Sequence, residues 1–235
     1  MIGYIRCARG KGRVSTVVEN LYGVQVMTAV LYVADGERAQ RTERKLTWLS
    51  RKFQKNSISR IIVAPDFPYC ERLRNFKMVD GLDFYRAVAD VLAFGWLETH
   101  GFVVAQSCVS LVGTRLSPEL EHAARRLCYY VRGICIEVPG VEAELFAAEL
   151  QRDFGIPVMP RGIRSNLTIE FGPTEKMGQL RLWGEQPYLD GLQLCAEGID
   201  LPKELRLPIL SLLWEKGYLQ RQKLQILVSK GEKSC

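Results

Sequence analysis

The sequence lacks the paired cysteines and histidines from which disulfide frameworks and metal sites are built. Its seven cysteines are scattered over 235 residues without a CxxC or CxxxC spacing, and neither His100 nor His122 has a cysteine within five residues. A structural zinc site normally takes its ligands in pairs a few residues apart. We therefore expect no metal site and no identifiable cofactor, and we interpret the cysteines as reduced thiols that pack like small apolar side chains.

Long apolar runs and targeting segments are also missing. The uninterrupted apolar runs, such as 29–34 and 102–105, are far shorter than the roughly 20 residues that cross a bilayer. Residues 1–6 show no basic start followed by an apolar stretch, as a secretory signal would. These absences predict a cytoplasmic protein without a membrane partner.

Familiar catalytic signatures are missing as well. No GxSxG, HExxH or SxxK pattern occurs. We interpret His100 as a residue at a helix C-terminus and His122 as an exposed residue beside Glu121, and we assign a catalytic role to neither. The catalytic residues, if there are any, are unknown from the sequence. An enzyme acting on a phosphorylated or acidic substrate therefore stays as an alternative.

Alternating strand and helix patterns dominate the chain and indicate the fold class. Residues 58–160 follow the order β-α-β-α-β-α-β, which is typical of a parallel sheet with helices packed on its faces. The sequence predicts a Rossmann-like α/β fold with a mainly parallel sheet, flanking helices and antiparallel additions near both termini. We expect one unit with three regions: a β-hairpin and basic helix in 1–56, the alternating core in 57–160, and a β-rich extension with a helix in 161–235. Pro208 should kink or divide that last helix.

Charged and polar residues follow several of the predicted strands. In an open parallel sheet, ligands bind beyond the carboxyl ends of the strands. The residues predicted there are Asp66, Thr114, Arg115, Arg161 and Arg164. Because a guanidinium can hold a carboxylate or phosphate by two parallel hydrogen bonds, this set predicts a site for an anionic small molecule. The alternative interpretation is that the loop arginines are solvated surface charge.

A glycine-rich segment, Gly10-Lys11-Gly12-Arg13, could bring backbone N–H groups to a phosphate. The β-branched run at 14–18 follows it, however, where a phosphate-binding loop would lead into a helix. We therefore interpret the segment as a hairpin turn with exposed cations.

Positive charge is concentrated in one segment. Residues 37–60 contain eight cations and two carboxylates, a net charge of +6, and the rest of the chain has 24 charges of each sign. The helix predicted at 37–55 is therefore basic, as expected of a surface that binds the phosphate backbone of nucleic acid. The residues predicted to contact nucleic acid or an acidic partner protein are Arg41, Arg44, Lys45, Arg51 and Lys52. An amphipathic helix with a solvated outer face is the alternative.

Taken together, the sequence favours a binding or interaction protein that recognises an anionic small molecule or a partner protein. Nucleic-acid binding through the basic helix is the second hypothesis. No motif in the sequence predicts an oligomeric state.

Overall fold

The computed structural model of the chain describes residues 1–162, 164–175, 177–184 and 186–228. Its strands are β1 (Ile2–Arg9), β2 (Ser15–Leu21), β3 (Val24–Val33), β4 (Arg60–Val63), β5 (Lys77–Met78), β6 (Cys108–Val112), β7 (Gly133–Glu137), β8 (Leu167–Glu170), β9 (Leu180–Arg181), β10 (Leu192–Ala196) and β11 (Leu224–Val228). Its α-helices are α1 (Ala39–Lys55), α2 (Leu82–Ala87), α3 (Ala89–Thr99), α4 (Pro118–Leu127), α5 (Val141–Phe154) and α6 (Lys203–Glu215). The fold is mixed α/β with mainly parallel pairing and flanking helices, as the sequence predicts.

The chain divides into two units. The first contains Met1–Gly81 and Gly198–Leu219, and the second contains Leu82–Glu197 with the described residues after Leu219. The prediction of one βαβαβαβ sheet over 58–160 is wrong, because β4 pairs in the first unit whereas β6 and β7 pair in a separate sheet of the second. Strand alternation in a sequence indicates that parallel strands exist, but which strands pair is decided by tertiary packing.

The sheet of the first unit has the order β2-β3-β1-β4-β5, and all its pairings are parallel except that between β2 and β3. Helix α1 buries the stripe predicted from its three- and four-residue spacing, including Leu46, Leu49 and Phe53. A Cβ atom at Gly3 would lie 2.6 Å from Cε2 of Phe53. The ring of Phe53 therefore rests directly on β1, and glycine permits that close approach.

The hairpin at the N-terminus is formed by other residues than the sequence suggests. Strands β2 and β3 are joined by Tyr22 and Gly23, both with positive φ, in the manner of a two-residue hairpin turn. The segment from Gly10 to Arg13 does not close a hairpin, because β1 pairs in parallel with β3 and not with β2. The hairpin interpretation of that glycine-rich segment is therefore wrong.

Helix α6 lies in the first unit and contains Pro208 without being divided by it. Its buried residues, among them Leu205 and Ile209, lie on both sides of the proline, so packing holds the two halves together. Arg60 of β4 donates two hydrogen bonds to the Glu215 carboxylate at the end of α6, at 2.5 and 2.9 Å. This bidentate pair fixes the last turn of the helix to the sheet.

The second unit contains a fully parallel sheet in the order β7-β6-β8-β9 and a separate antiparallel pair, β10 and β11. From β6 the chain passes through α4 to β7 on one side, while β8 lies on the other side of β6 and leads to β9. Helix α3 packs against β8 and against the β10–β11 pair. The antiparallel additions that the sequence predicts near both termini are thus β2 and the β10–β11 pair.

No helix within the described residues is long and apolar enough to span a membrane. The same residues bring together no group of three or more His, Cys, Asp or Glu side chains that could hold a metal ion.

Candidate functional site

A small crevice lies at the carboxyl edge of the second unit's sheet, where the connections after β6 and β8 diverge. The connection after β6 runs towards β7 and the one after β8 runs towards β9, so β6 and β8 flank a topological switch point. In open α/β sheets, ligands bind at such points. The crevice has a volume of about 350 Å³ and is lined by Arg86, Thr114, Arg115, Leu116, Ser117, Pro118, Glu119 and Phe171.

The crevice receives Arg86, Thr114, Arg115 and Phe171 from three parts of the chain. Thr114 and Arg115 follow β6 and are exposed, and Arg86 lies near the end of α2, half-buried. Arg86 donates from Nε to the carbonyl oxygen of Leu182 at 2.8 Å, which fixes the guanidinium group in place. Phe171, which follows β8, is a buried apolar residue of the lining. Two guanidinium groups, a hydroxyl group and an apolar surface therefore meet in one pocket.

Helix α4 begins at the crevice in the way the sequence predicts. Ser117 is the N-cap, with its Oγ accepting a hydrogen bond from the backbone N–H of Leu120 at 3.3 Å, and Pro118 occupies the first helical position. The hydroxyl hydrogen of Ser117 is not used in that bond. The partial positive charge of the helix N-terminus adds to the charge of the two arginines.

Gly172 lets the loop after β8 approach the loop after β6 closely, and Gly113 lets the loop after β6 turn tightly. A Cβ atom at Gly172 would lie 3.1 Å from Oγ1 of Thr114, and one at Gly113 would lie 3.3 Å from the carbonyl oxygen of Arg115. The two loops therefore lie in contact at Gly172 and Thr114. Glu119 supplies a carboxylate to the lining, where it complements the dipole of α4 and opposes a bound anion.

Asp66 follows a strand of a different sheet from the other predicted strand-end residues. It follows β4 in the first unit, so the five residues predicted to share one sheet edge do not do so. Asp66 lines a different pocket, of about 570 Å³, together with Arg6 and Cys7. Burial raises the pKa of the Cys7 thiol and the Asp66 carboxylate raises it further, so this cysteine is kept in its protonated, weakly nucleophilic form.

Arg161 and Arg164 are in the second unit but do not line the crevice. Arg161 donates to the carbonyl oxygen of Val138, just after β7, at 2.5 Å. Its guanidinium group therefore supports the neighbouring loop. Arg164 is exposed. Of the five predicted residues, Thr114 and Arg115 line the crevice and the other three do not.

The predicted basic helix is α1, and its cations differ in their surroundings. Lys45 donates to the carbonyl oxygen of Tyr32 at 2.5 Å and lies 2.7 Å from the Glu37 carboxylate, so it is a structural lysine. The hydrogen bond from Lys45 lowers the pKa of Glu37, and the hydrogen bond from the Ala34 N–H lowers it further. Lys52 donates to Oγ1 of Thr16 at 2.5 Å. By contrast, Arg41, Arg44 and Arg51 are exposed.

The glycine-rich segment lies beside this helix. Gly12, Arg13 and Val14 follow β1 and line a groove of about 500 Å³ with Arg41, Arg44, Lys45 and Trp48 of α1. Two features that are separate in the sequence, the glycine-rich segment and the basic helix, therefore contribute to one cationic surface.

Sequence reasoning missed Arg86 and Phe171 as lining residues of the crevice, and it did not place Ser117 there. Arg86 belongs to a six-residue helix with no pattern that indicates a site, and Phe171 resembles any apolar strand residue. Ser117 and Pro118 directly follow the predicted strand-end residues and carry a helix-cap signal. This signal could have added the N-terminus of α4 to the predicted site.

No protein family and no curated protein matches the sequence. Among solved structures, part of the chain is similar to L-tryptophan dehydrogenase from Nostoc punctiforme, with 15% sequence identity and a TM-score of 0.32. The similarity covers 61% of this chain and 43% of the dehydrogenase, so the chain spans less than half of that protein's length. A similarity this weak carries no conclusion about activity, substrate or cofactor.

Proposed function

We propose that the second unit binds a small anionic molecule, with its carboxylate or phosphate group in the crevice between the ends of β6 and β8. The single observation that carries the proposal is the convergence of Arg86, Arg115 and the N-terminus of α4 at the switch point of the sheet. Each of these groups attracts an anion, and the pocket is small enough for a small molecule.

The lining also limits which anions fit. Glu119 contributes a negative charge beside the two arginines, so an anion that carries a hydrogen-bond donor next to its acidic group, as the hydroxyl groups of hydrogen phosphate and citrate do, is favoured over an anion without a donor. Thr114 and Ser117 supply hydroxyl groups that can donate to the ligand, and Phe171 supplies an apolar contact. Recognition of a small anion is thus the function that this geometry supports best.

The experiment compares the Arg115→Gln variant with the wild-type protein. Arg115 is chosen because Arg86 also bonds to the backbone at Leu182, so that its replacement would disturb the fold. Thermal unfolding is followed while inorganic phosphate or citrate is added at constant ionic strength, since a ligand that binds the folded state raises the unfolding temperature. A charge-assisted hydrogen bond contributes about 1.5–3 kcal/mol, so Arg115→Gln should weaken binding by about 10- to 100-fold.

The matched control is Arg152→Gln, which removes the same charge from an exposed position on α5 away from the crevice. The wild-type protein and this control should respond alike. The proposal fails if neither anion gives a saturable response, or if Arg115→Gln and Arg152→Gln respond equally.

A further inference from the structure

Two adjoining grooves in the first unit meet at the exposed side chain of Trp48. The first groove, described above, lies between the glycine-rich segment and α1. The second, of about 550 Å³, is lined by Gln40, Glu43, Arg44, Thr47, Trp48 and Arg51. Because Arg44 and Trp48 line both grooves, they form one surface that runs along α1, and we name it the α1 track.

Three arginines of the α1 track carry positive charge without a neutralising partner, whereas its Arg41 and Lys45 both pair with Glu37. Among the residues that the structure describes, no carboxylate lies within 4.0 Å of the guanidinium groups of Arg13, Arg44 or Arg51. The two carboxylates of this segment have other partners: Glu37 pairs with Lys45 at 2.7 Å, and Glu43 pairs with Arg72 at 3.3 Å. These three arginines are therefore available to an external anion.

Trp48 gives the track an aromatic surface in the middle of this charge. Its side chain points away from the core stripe, and the residue is 47% exposed. The ammonium group of Lys52 lies 4.9 Å from the ring centroid and is held there by its bond to Thr16. An exposed indole ring flanked by arginines is the combination on which unpaired bases stack while the phosphates meet cations.

The parts of the track are fixed relative to one another through Tyr32. The N–H of Gly10 donates to the carbonyl oxygen of Val33 at 3.0 Å, and a Cβ atom at Gly12 would lie 3.1 Å from Cγ of Tyr32. Lys45 anchors α1 to the carbonyl oxygen of the same tyrosine. Arg13 and Arg44 are therefore presented from two segments that are both fastened to the end of β3.

We propose that the α1 track binds single-stranded nucleic acid, with Arg13, Arg44 and Arg51 on backbone phosphates and Trp48 against an unpaired base. A duplex keeps its bases stacked inside the helix and cannot use the indole ring in this way. An acidic polypeptide could pair with the arginines but has no base to stack. The combination of charge and an exposed indole therefore favours a single strand.

The test measures binding of a fluorescein-labelled oligothymidylate of about 16 nucleotides, the upper end of the site size of one such platform, by anisotropy. Binding should weaken steeply with salt, with a slope of about −0.7 for each phosphate neutralised. Trp48→Ala should weaken it roughly tenfold, and Trp48→Phe should restore most of that loss because the ring stacks in the same way. Arg44→Gln should reduce the salt slope by about 0.7, and the control Arg152→Gln should leave it unchanged.

Four outcomes would overturn the proposal. The first is no anisotropy change at low salt. The second is equal affinity of wild-type protein and Trp48→Ala, with circular dichroism showing both folded. The third is binding of a duplex of the same length as tightly as the single strand. The fourth is binding of poly-aspartate as tightly as the oligonucleotide without dependence on Trp48, which would identify an acidic polypeptide as the partner.

Discussion

The α1 track and the β6–β8 crevice collect arginines beyond the carboxyl ends of parallel strands, but they do so in different ways. In the track, most charges belong to the outer face of a long helix and surround an exposed tryptophan. In the crevice, Arg115 comes from a loop and Arg86 from a short helix, beside two hydroxyl groups and a buried phenylalanine. The carboxyl edge of a parallel sheet can thus present an extended surface for a polymer in one unit and a small pocket for a single acidic group in the other.

The helices that border these sites also differ at their N-termini. Helix α4 has a serine cap and proline at its first position, so its N-terminus is well defined where it meets the crevice. Helix α1 begins after Arg38, which forms no side-chain cap, and its first turn contains no acidic residue. The N-terminus of α4 therefore contributes to anion attraction in the crevice, whereas the track is formed by side chains along the length of α1.

The largest expected effect concerns the packing beneath the track. Phe53 is fully buried on α1, in edge-to-face contact with Phe76 at a centroid distance of 5.8 Å. Phe53→Ala should lower the free energy of unfolding by about 3–5 kcal/mol, because it leaves a cavity over Gly3. Urea titration measures this change.

Trp48→Ala on the same helix is the control, and its free energy of unfolding should stay within about 0.5 kcal/mol of wild type because that ring is on the surface. A larger loss for Trp48→Ala than for Phe53→Ala would contradict this assignment of the two faces.

A pair of cap substitutions tests the difference between the two helix ends. Ser117→Ala should destabilise the protein by about 0.5–2 kcal/mol, since the N–H of Leu120 loses its side-chain acceptor. Arg38→Ser should have the opposite sign and stabilise by about 0.5–1 kcal/mol, because Arg38 already has the extended backbone of an N-cap, with φ −62° and ψ 132°. Thermal unfolding of both variants gives the two signs. If both substitutions changed the unfolding temperature in the same direction, the N-termini of α4 and α1 would not differ in capping.

The smallest effect depends on pH and concerns the sheet of the first unit. The hydrogen bond from Arg60 lowers the pKa of Glu215. The stabilisation by this pair should therefore be complete above the unfolded-state pKa of about 4.3 and disappear as the pH falls through the lower, folded-state pKa. Since Glu215 is half-exposed, Glu215→Gln should cost only about 0.2–1 kcal/mol at pH 7.

Unfolding of wild type and Glu215→Gln at a series of pH values measures this difference, which should shrink in acid. Glu71→Gln is the control, because its pair with Arg74 at 3.1 Å is more exposed on both sides. A difference between wild type and Glu215→Gln that grows as the pH falls would contradict the assigned sign.

Local sequence patterns predicted the buried face of α1 and the start of α4 well, because these features depend on residues close together in the sequence. The spacing of Leu46, Leu49 and Phe53 gave the buried face of α1, and Ser117 with Pro118 gave the start of α4. The pairing of strands was not predictable in the same way. Strand β4 has the pattern of any short buried strand, and the residues of β1 with which it pairs lie 58 residues earlier in the sequence.

In the candidate sites, too, the residues placed by local sequence were predictable and those placed by tertiary packing were not. Thr114 and Arg115 were predicted because a loop after a strand lies at the carboxyl edge of its own sheet, whichever sheet that is. Asp66 was grouped with them only through the assumption of one sheet, but it follows β4, which belongs to the other sheet. The meeting of Arg13 with Arg44 depends on contacts with Tyr32, which no spacing in the sequence encodes.

The most direct test of two distinct anion sites is to titrate inorganic phosphate and the labelled oligothymidylate into the same two variants. Trp48→Ala should weaken oligothymidylate binding roughly tenfold and leave the thermal response to phosphate unchanged. Arg115→Gln should weaken the response to phosphate at least about tenfold and leave oligothymidylate binding unchanged. A single substitution that weakens both ligands to the same extent would contradict the account, because the two anions would then share one site.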